Sequence, residues 1–105
     1  MASQKRFPPE VRERAMTAGT PKDYSDAMYN VYFEIGEWEG AALVVLEAFV
    51  GPARSKSIKR QKFGYELAIP IQCIPDIVRR LVDNNIAVYQ IVRGERINAS
   101  WREPS

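Results

Sequence analysis

The sequence predicts an α+β domain: an antiparallel sheet of four to five strands with one main helix packed on one face, preceded by an N-terminal arm. Three observations carry this expectation. Tyr29 to Ile35 alternates apolar and polar residues with the period of a half-buried strand. Ile74, Ile77, Val78 and Leu81 recur at helical spacing. The other strand-like runs are joined by local turns around that one helix, which favours antiparallel pairing.

At 105 residues the chain holds one domain. Residues 1–27 read as a polar arm, 28–97 as the α+β domain and 98–105 as a polar tail. In the arm, Phe7 to Met16 suits a short helix with Pro9 in its first turn, ended by Gly19-Thr-Pro21. Its apolar stripe of Val11, Ala15 and Met16 is thin.

In the first strand, Val31, Phe33 and Ile35 share one face and Asn30, Tyr32 and Glu34 the other. Gly36-Glu-Trp-Glu-Gly40 reads as a turn and Ala41 to Val50 as a second strand, so the two form a hairpin. Ala42, Val44, Leu46, Ala48 and Val50 then line one face of that strand. Leu43, Val45 and Phe49 line the other, broken by Glu47. Two dry faces imply a central strand covered by the arm or by a second subunit. A homodimer burying Leu43, Val45 and Phe49 is expected.

Gly51-Pro52 breaks the second strand. Phe63 to Ile71 is the next, with Phe63, Tyr65, Leu67, Ile69 and Ile71 on one face and Pro70 near its end. Pro75 fits a first helical turn, with Asp76 favouring the positive helix N-terminus. Arg79, Arg80 and Asp83 fall on the outer side, and Asn84-Asn85 makes a left-handed stop. Ile86 to Val92 returns as a strand. The tail from Asn98 is polar except for Trp101. Phe33, Val44, Leu46, Leu67, Ile69, Ile77 and Leu81 are the expected core.

Net charge is only +2, but its distribution is uneven: +3 over residues 1–22, −6 over 23–53 and +5 over 54–105. The chain contains no His, which removes the commonest general base and metal ligand. Glu34, Glu37 and Glu39 read as solvated surface. No catalytic residue, cofactor or metal site is expected, and the chain is not read as an enzyme. The single Cys73 sits between apolar neighbours and reads as a buried small hydrophobe. With no signal peptide and no apolar run near the roughly 18 residues of a membrane span, a soluble cytoplasmic protein is the default expectation.

The candidate site is Arg54-Ser-Lys-Ser-Ile-Lys-Arg-Gln-Lys-Phe-Gly-Tyr65, which contains no acid. Arg54, Lys56, Lys59, Arg60 and Lys62 suit phosphates. Phe63 and Tyr65 offer planes on which bases stack. Those rings fit the core face of a strand equally well. Trp38 in the turn and Tyr32 on the sheet are further candidate contacts. The bland alternative is a solvated loop whose lysines discourage edge pairing.

Residues 29–83 resemble a repeat of the PC4/Pur-alpha class of single-stranded nucleic-acid-binding proteins. The likeness lies in Val31-Tyr-Phe-Glu-Ile35, the Trp38-Glu-Gly40 turn, Leu43-Val-Val-Leu-Glu-Ala-Phe49, the basic linker and Leu67-Ala-Ile-Pro-Ile71 leading into the helix. It implies a dimer of curved antiparallel sheets that binds single strands through Arg54, Lys59, Arg60, Lys62 and Tyr32. A family repeat ends at its helix, whereas this chain continues into Ile86 to Val92. Residues 59–91 are similar to the CpcD-type domain of phycobilisome linker proteins, in which a basic stretch leads to a Leu-x-Val-Pro strand, a helix and an Ile-rich strand. Asn84-Asn85 stands where that family has Gly-Gly.

The leading expectation is a non-catalytic, dimeric binder of single-stranded nucleic acid. The alternative is a protein–protein interaction module, linker-like or regulatory, that docks on an acidic partner. A small enzyme with its site in the sheet ranks third.

Overall fold

The computed structural model describes residues 18–36 and 39–101. Four antiparallel strands and three helices follow one another as β1 (Ala27–Gly36), α1 (Ala41–Val50), α2 (Pro52–Ser55), β2 (Lys59–Gln61), β3 (Gly64–Pro70), α3 (Cys73–Asp83) and β4 (Ala87–Ser100). The strands lie in the order β2-β3-β1-β4. With α2 counted as an appendage of α1, this is the split βαβ arrangement, in which two crossover helices cover one face.

The α+β class, the antiparallel sheet and the packed helix α3 stand as the sequence predicted. Residues 41–50 do not: they form α1, not a second strand, so the expected hairpin with β1 is absent. Ala42 and Leu46, four apart, point into the core, and Val44 lies two-thirds exposed at 66%. A two-residue period puts Val44 in the core; helical periodicity rotates it outward. Gly51, at φ 86° and ψ 166°, sits between α1 and α2 in a region open to glycine alone. Pro52 follows at the start of α2, where its missing N–H costs nothing.

Across the ladder, Phe33 faces Tyr65, Val31 faces Leu67 and Tyr29 faces Ile69. These six residues are buried against Leu46 of α1 and Ile77 and Leu81 of α3. The opposite sheet face carries Asn30, Tyr32, Glu34, Glu66 and Ala68, all half-buried. At Gly64 the backbones approach so closely that any Cβ would strike the Phe33 carbonyl.

α3 ends as its sequence dictates. Asn85 takes φ 60°. Ile86 N–H donates to the Leu81 carbonyl and Asn85 N–H to the Val82 carbonyl, each at 2.9 Å. Ile86 is buried in the same cluster as Leu81, completing a Schellman motif with its apolar contact. β4 then runs 14 residues beside the ten of β1. Asn98, Ala99 and Ser100, assigned to a polar tail, belong to this strand. Three register shifts absorb the excess length.

Candidate nucleic-acid interface

The β2–β3 hairpin positions the basic residues. Lys59 pairs with Glu66, Arg60 with Tyr65 and Gln61 with Gly64, leaving Lys62-Phe63 as the loop. β2 is an edge strand, and all of Lys59 to Phe63 is exposed. Ile35 N–H donates to the Phe63 carbonyl at 3.1 Å, which ties the loop to the end of β1. Phe63 is 61% exposed, with Lys62 Nζ 5.3 Å from its ring centre. Arg60 stands directly across from Tyr65, its guanidinium 5.8 Å from that ring. A shallow depression of about 200 Å³ is lined by Ile35, Arg60, Gln61, Lys62, Phe63 and Gly64. Lys56, in the turn after α2, is also exposed.

Two residues of the predicted set are not available. Tyr65 is 1% exposed and forms part of the core beneath Arg60, so it offers no stacking plane. Arg54 is buried on α2. Its guanidinium stacks 4.1 Å over the Trp101 ring, donates to the Trp101 and Ser100 carbonyls and approaches Met28 Sδ at 4.0 Å. It therefore fastens the end of β4 to the helix layer instead of reaching a phosphate. Trp38 lies outside the described residues.

Tyr32 is half-buried on the open sheet face, directly across from Glu66 on β3. Partial burial and the Glu34 carboxylate push its phenol above the usual tyrosine range. Those acids disfavour a phosphate at Tyr32, although the ring could still meet a base. Lys59 partly offsets Glu66 as an opposite-charge cross-strand pair.

Leu43, Val45 and Phe49, expected at a dimer interface, are half-buried against the chain's own core. Phe49 packs 6.4 Å from Trp101, and the Arg80 guanidinium lies 5.0 Å from its ring. The exposed face of α1 is instead Ala41, Val44, Glu47 and Ala48.

One constellation had no sequence signal beyond a polar stretch. Asp23 is buried, and its carboxylate accepts from Gly19 N–H (2.8 Å), Ser25 N–H (3.0 Å), the Ser25 hydroxyl (2.6 Å) and the Tyr29 hydroxyl (3.3 Å). Burial works to raise its pKa; the hydrogen bonds outweigh burial and hold it below the ordinary value of 3.8. Gln72 Nε2 donates to the Pro21 and Asp23 carbonyls and docks this turn beside α3. Among the described residues, no group of three or more Cys, Asp or Glu side chains converges as a metal site. None of the described helices is long and apolar enough to cross a membrane. No protein-family model, no curated protein sequence and no solved structure matches the chain.

Proposed function

We propose that the protein binds single-stranded nucleic acid, without catalysis, along β2 and the tip of its hairpin. One observation carries the reading: Lys59, Arg60, Lys62 and Phe63 are brought to one exposed edge, three cations beside an uncovered ring. With Lys56 they offer four phosphate contacts, and Phe63 offers a stacking plane. Four contacts give a salt slope of roughly 2.8 for a single strand, at about 0.7 per phosphate. Affinity then falls about 50-fold between roughly 50 and 200 mM salt. The likeness to the PC4/Pur-alpha class supports the reading through residues 29–35 and 59–83; residues 41–50, which it treats as strand, are helical. A cytoplasmic homodimer belongs to the same reading.

Docking of an acidic protein is the second reading. It is favoured by the position of β2 at the sheet edge, which leaves one side of its backbone free to pair with an extended chain. Fluorescence anisotropy with labelled single-stranded DNA and RNA oligomers, read across a salt series, separates the two. The wild type should bind and the Lys59→Glu/Arg60→Glu/Lys62→Glu variant should not, with circular dichroism unchanged. No binding to any oligomer at about 50 mM salt would sink the nucleic-acid reading.

A further inference from the structure

The turn ahead of β1 is built around a buried carboxylate, and it forms one wall of a pocket. Among the described residues, Lys22, Asp23, Tyr24, Ser25, Tyr29 and Arg96, with two alanines, line a space of about 460 Å³. Small-molecule sites commonly span roughly 300–1,000 Å³ and combine apolar walls with a few convergent polar groups. The pocket lies near the start of β1, away from the hairpin, which meets the far end of that strand at the Glu34–Gly64 pair.

Two local devices aim cations at this space. The first is Asp23. Its carboxylate turns inward onto Gly19, Ser25 and Tyr29, which leaves its chain neighbours Lys22 and Tyr24 outside, both exposed and Tyr24 at 79%. Gln72 holds the same turn through the Pro21 and Asp23 carbonyls. The wall is thus set before a ligand arrives, which lowers the cost of binding one. The second device is a bulge. Tyr29 stands across from Arg96 and Val31 across from Arg93, so two steps along β1 match three along β4. In a regular strand, residues three apart face opposite sides. The extra residue brings both arginines to the Tyr29 side. The Arg93 guanidinium lies 5.3 Å from the Tyr29 ring centre, and Arg96 lines the pocket. Bulges recur beside active sites because they re-aim side chains in this way.

We propose that this pocket binds a phosphate monoester joined to a flat ring, as in a nucleoside monophosphate, with the phosphate on Lys22 and Arg96 and the ring against Tyr24. Asp23 is the one acid among the described lining residues, and its carboxylate already accepts four hydrogen bonds from the protein. Set against Lys22, Arg93 and Arg96, it leaves a surplus of two positive charges. A phosphate monoester carries about −1.5 to −2 at pH 7 and matches that surplus, whereas a carboxylate matches half of it. Lysine and arginine also supply charge-assisted donors to the phosphate oxygens. The exposed Tyr24 ring beside them suits a stacked base. A free nucleotide and the 5′-phosphorylated end of a strand share this chemistry. The site does not rest on the hairpin.

Isothermal titration calorimetry at about 50 mM salt with AMP, adenosine and inorganic phosphate tests the proposal. AMP should bind, and adenosine and inorganic phosphate should each bind at least about tenfold more weakly. Lys22→Gln and Arg96→Gln, both at exposed positions, should each weaken AMP at least about tenfold. Tyr24→Ala should weaken AMP and leave inorganic phosphate unchanged. Arg79→Gln, exposed on α3, should change nothing, and the Lys59→Glu/Arg60→Glu/Lys62→Glu variant should keep its affinity for AMP. Circular dichroism checks that each variant is folded. A 5′-phosphorylated oligomer and its 5′-hydroxyl counterpart, titrated into that triple variant, assign the source. Preference for the phosphorylated oligomer marks a strand end; AMP binding without that preference marks a free nucleotide. No binding of AMP at about 1 mM overturns the proposal, as does AMP binding that Lys22→Gln and Arg96→Gln leave intact. Inorganic phosphate binding as tightly as AMP overturns the ligand class.

Discussion

Gly64→Ala offers a sharp test of how β1 and β3 meet. A Cβ at position 64 would stand 1.8 Å from the Phe33 carbonyl oxygen, 2.8 Å from its carbon and 3.0 Å from Glu34 Cα. All three are backbone atoms, so no side chain can swing aside. Bringing the oxygen contact to 3.0 Å requires the strands to part locally by more than 1 Å. The neighbouring bond from Ile35 N–H to the Phe63 carbonyl, now 3.1 Å, would not survive that movement. Overpacking costs about 1–3 kcal/mol and the lost bond about 0.5–1.5 kcal/mol. Alanine returns about 0.4–1 kcal/mol by restricting the unfolded chain. The net loss is then roughly 0.5–4 kcal/mol, read as a lowered midpoint in urea unfolding. Gly94→Ala is the control, because its nearest neighbour, the Asn30 carbonyl oxygen, is 3.0 Å away. It should lose less than half as much. A Gly64→Ala loss below about 0.5 kcal/mol, or one equal to the control, refutes the register that places Glu34 opposite Gly64.

Leu46→Ala and Leu81→Ala each remove a fully buried side chain and should cost about 2–5 kcal/mol, whereas Val44→Ala should stay within about 0.5 kcal/mol; calorimetry comparing the three checks the helical phase of α1. The depressed pKa of Asp23 means that its carboxylate stabilises the fold above the ordinary carboxylate range, and that this contribution is lost as pH falls through the folded value. The wild type should therefore lose stability more steeply than Asp23→Asn below about pH 4, which acid titration by circular dichroism would show. Burial, with a smaller push from Asp76 and a small opposing pull from Arg54, raises the Cys73 thiol to about 11. Its alkylation by iodoacetamide at pH 8 should be much slower than that of an unfolded control, and should accelerate up to about pH 11; equal rates at pH 8 would contradict its half-buried setting.

Strands β1 and β3 and helix α3 were legible because their periods are clean. Val31, Phe33 and Ile35 cannot share a face in any regular conformation but a strand, nor can Ile74, Ile77 and Leu81, spaced three and four apart, except in a helix. Ala41 to Val50 satisfied both periods, since every residue but Glu47 is apolar. Its ten-residue length and the glycines at 40 and 51 were the signals that favoured a helix. Within the basic segment the sequence located the charges correctly but could not sort them. Arg54 is consumed by Ser100 and Trp101, nearly half the chain away, and no local pattern announces such a partner. Phe63 and Tyr65 differ by two residues and in a continuous strand would share a face. The loop falls between them, which exposes one ring and buries the other.

The stepped pairing of β4 has a consequence for how the molecule avoids growing. An edge strand of 14 residues, the outermost among the described strands on its side of the sheet, is a place where another strand could add, and repeated addition builds fibrils. The shifts at Ala27/Met28, Tyr29/Val31 and Glu34/Ile35 break this edge into short stretches. The longest uninterrupted run is Gln90 to Arg93, four residues closed by a cation. An incoming strand would lose its hydrogen-bond phase there before reaching the usual five or six residues. Sheet extension, an open-ended mode of association, is thereby blocked at this edge. The interrupted register of β4 thus disfavours a polymer built by adding strands to this edge.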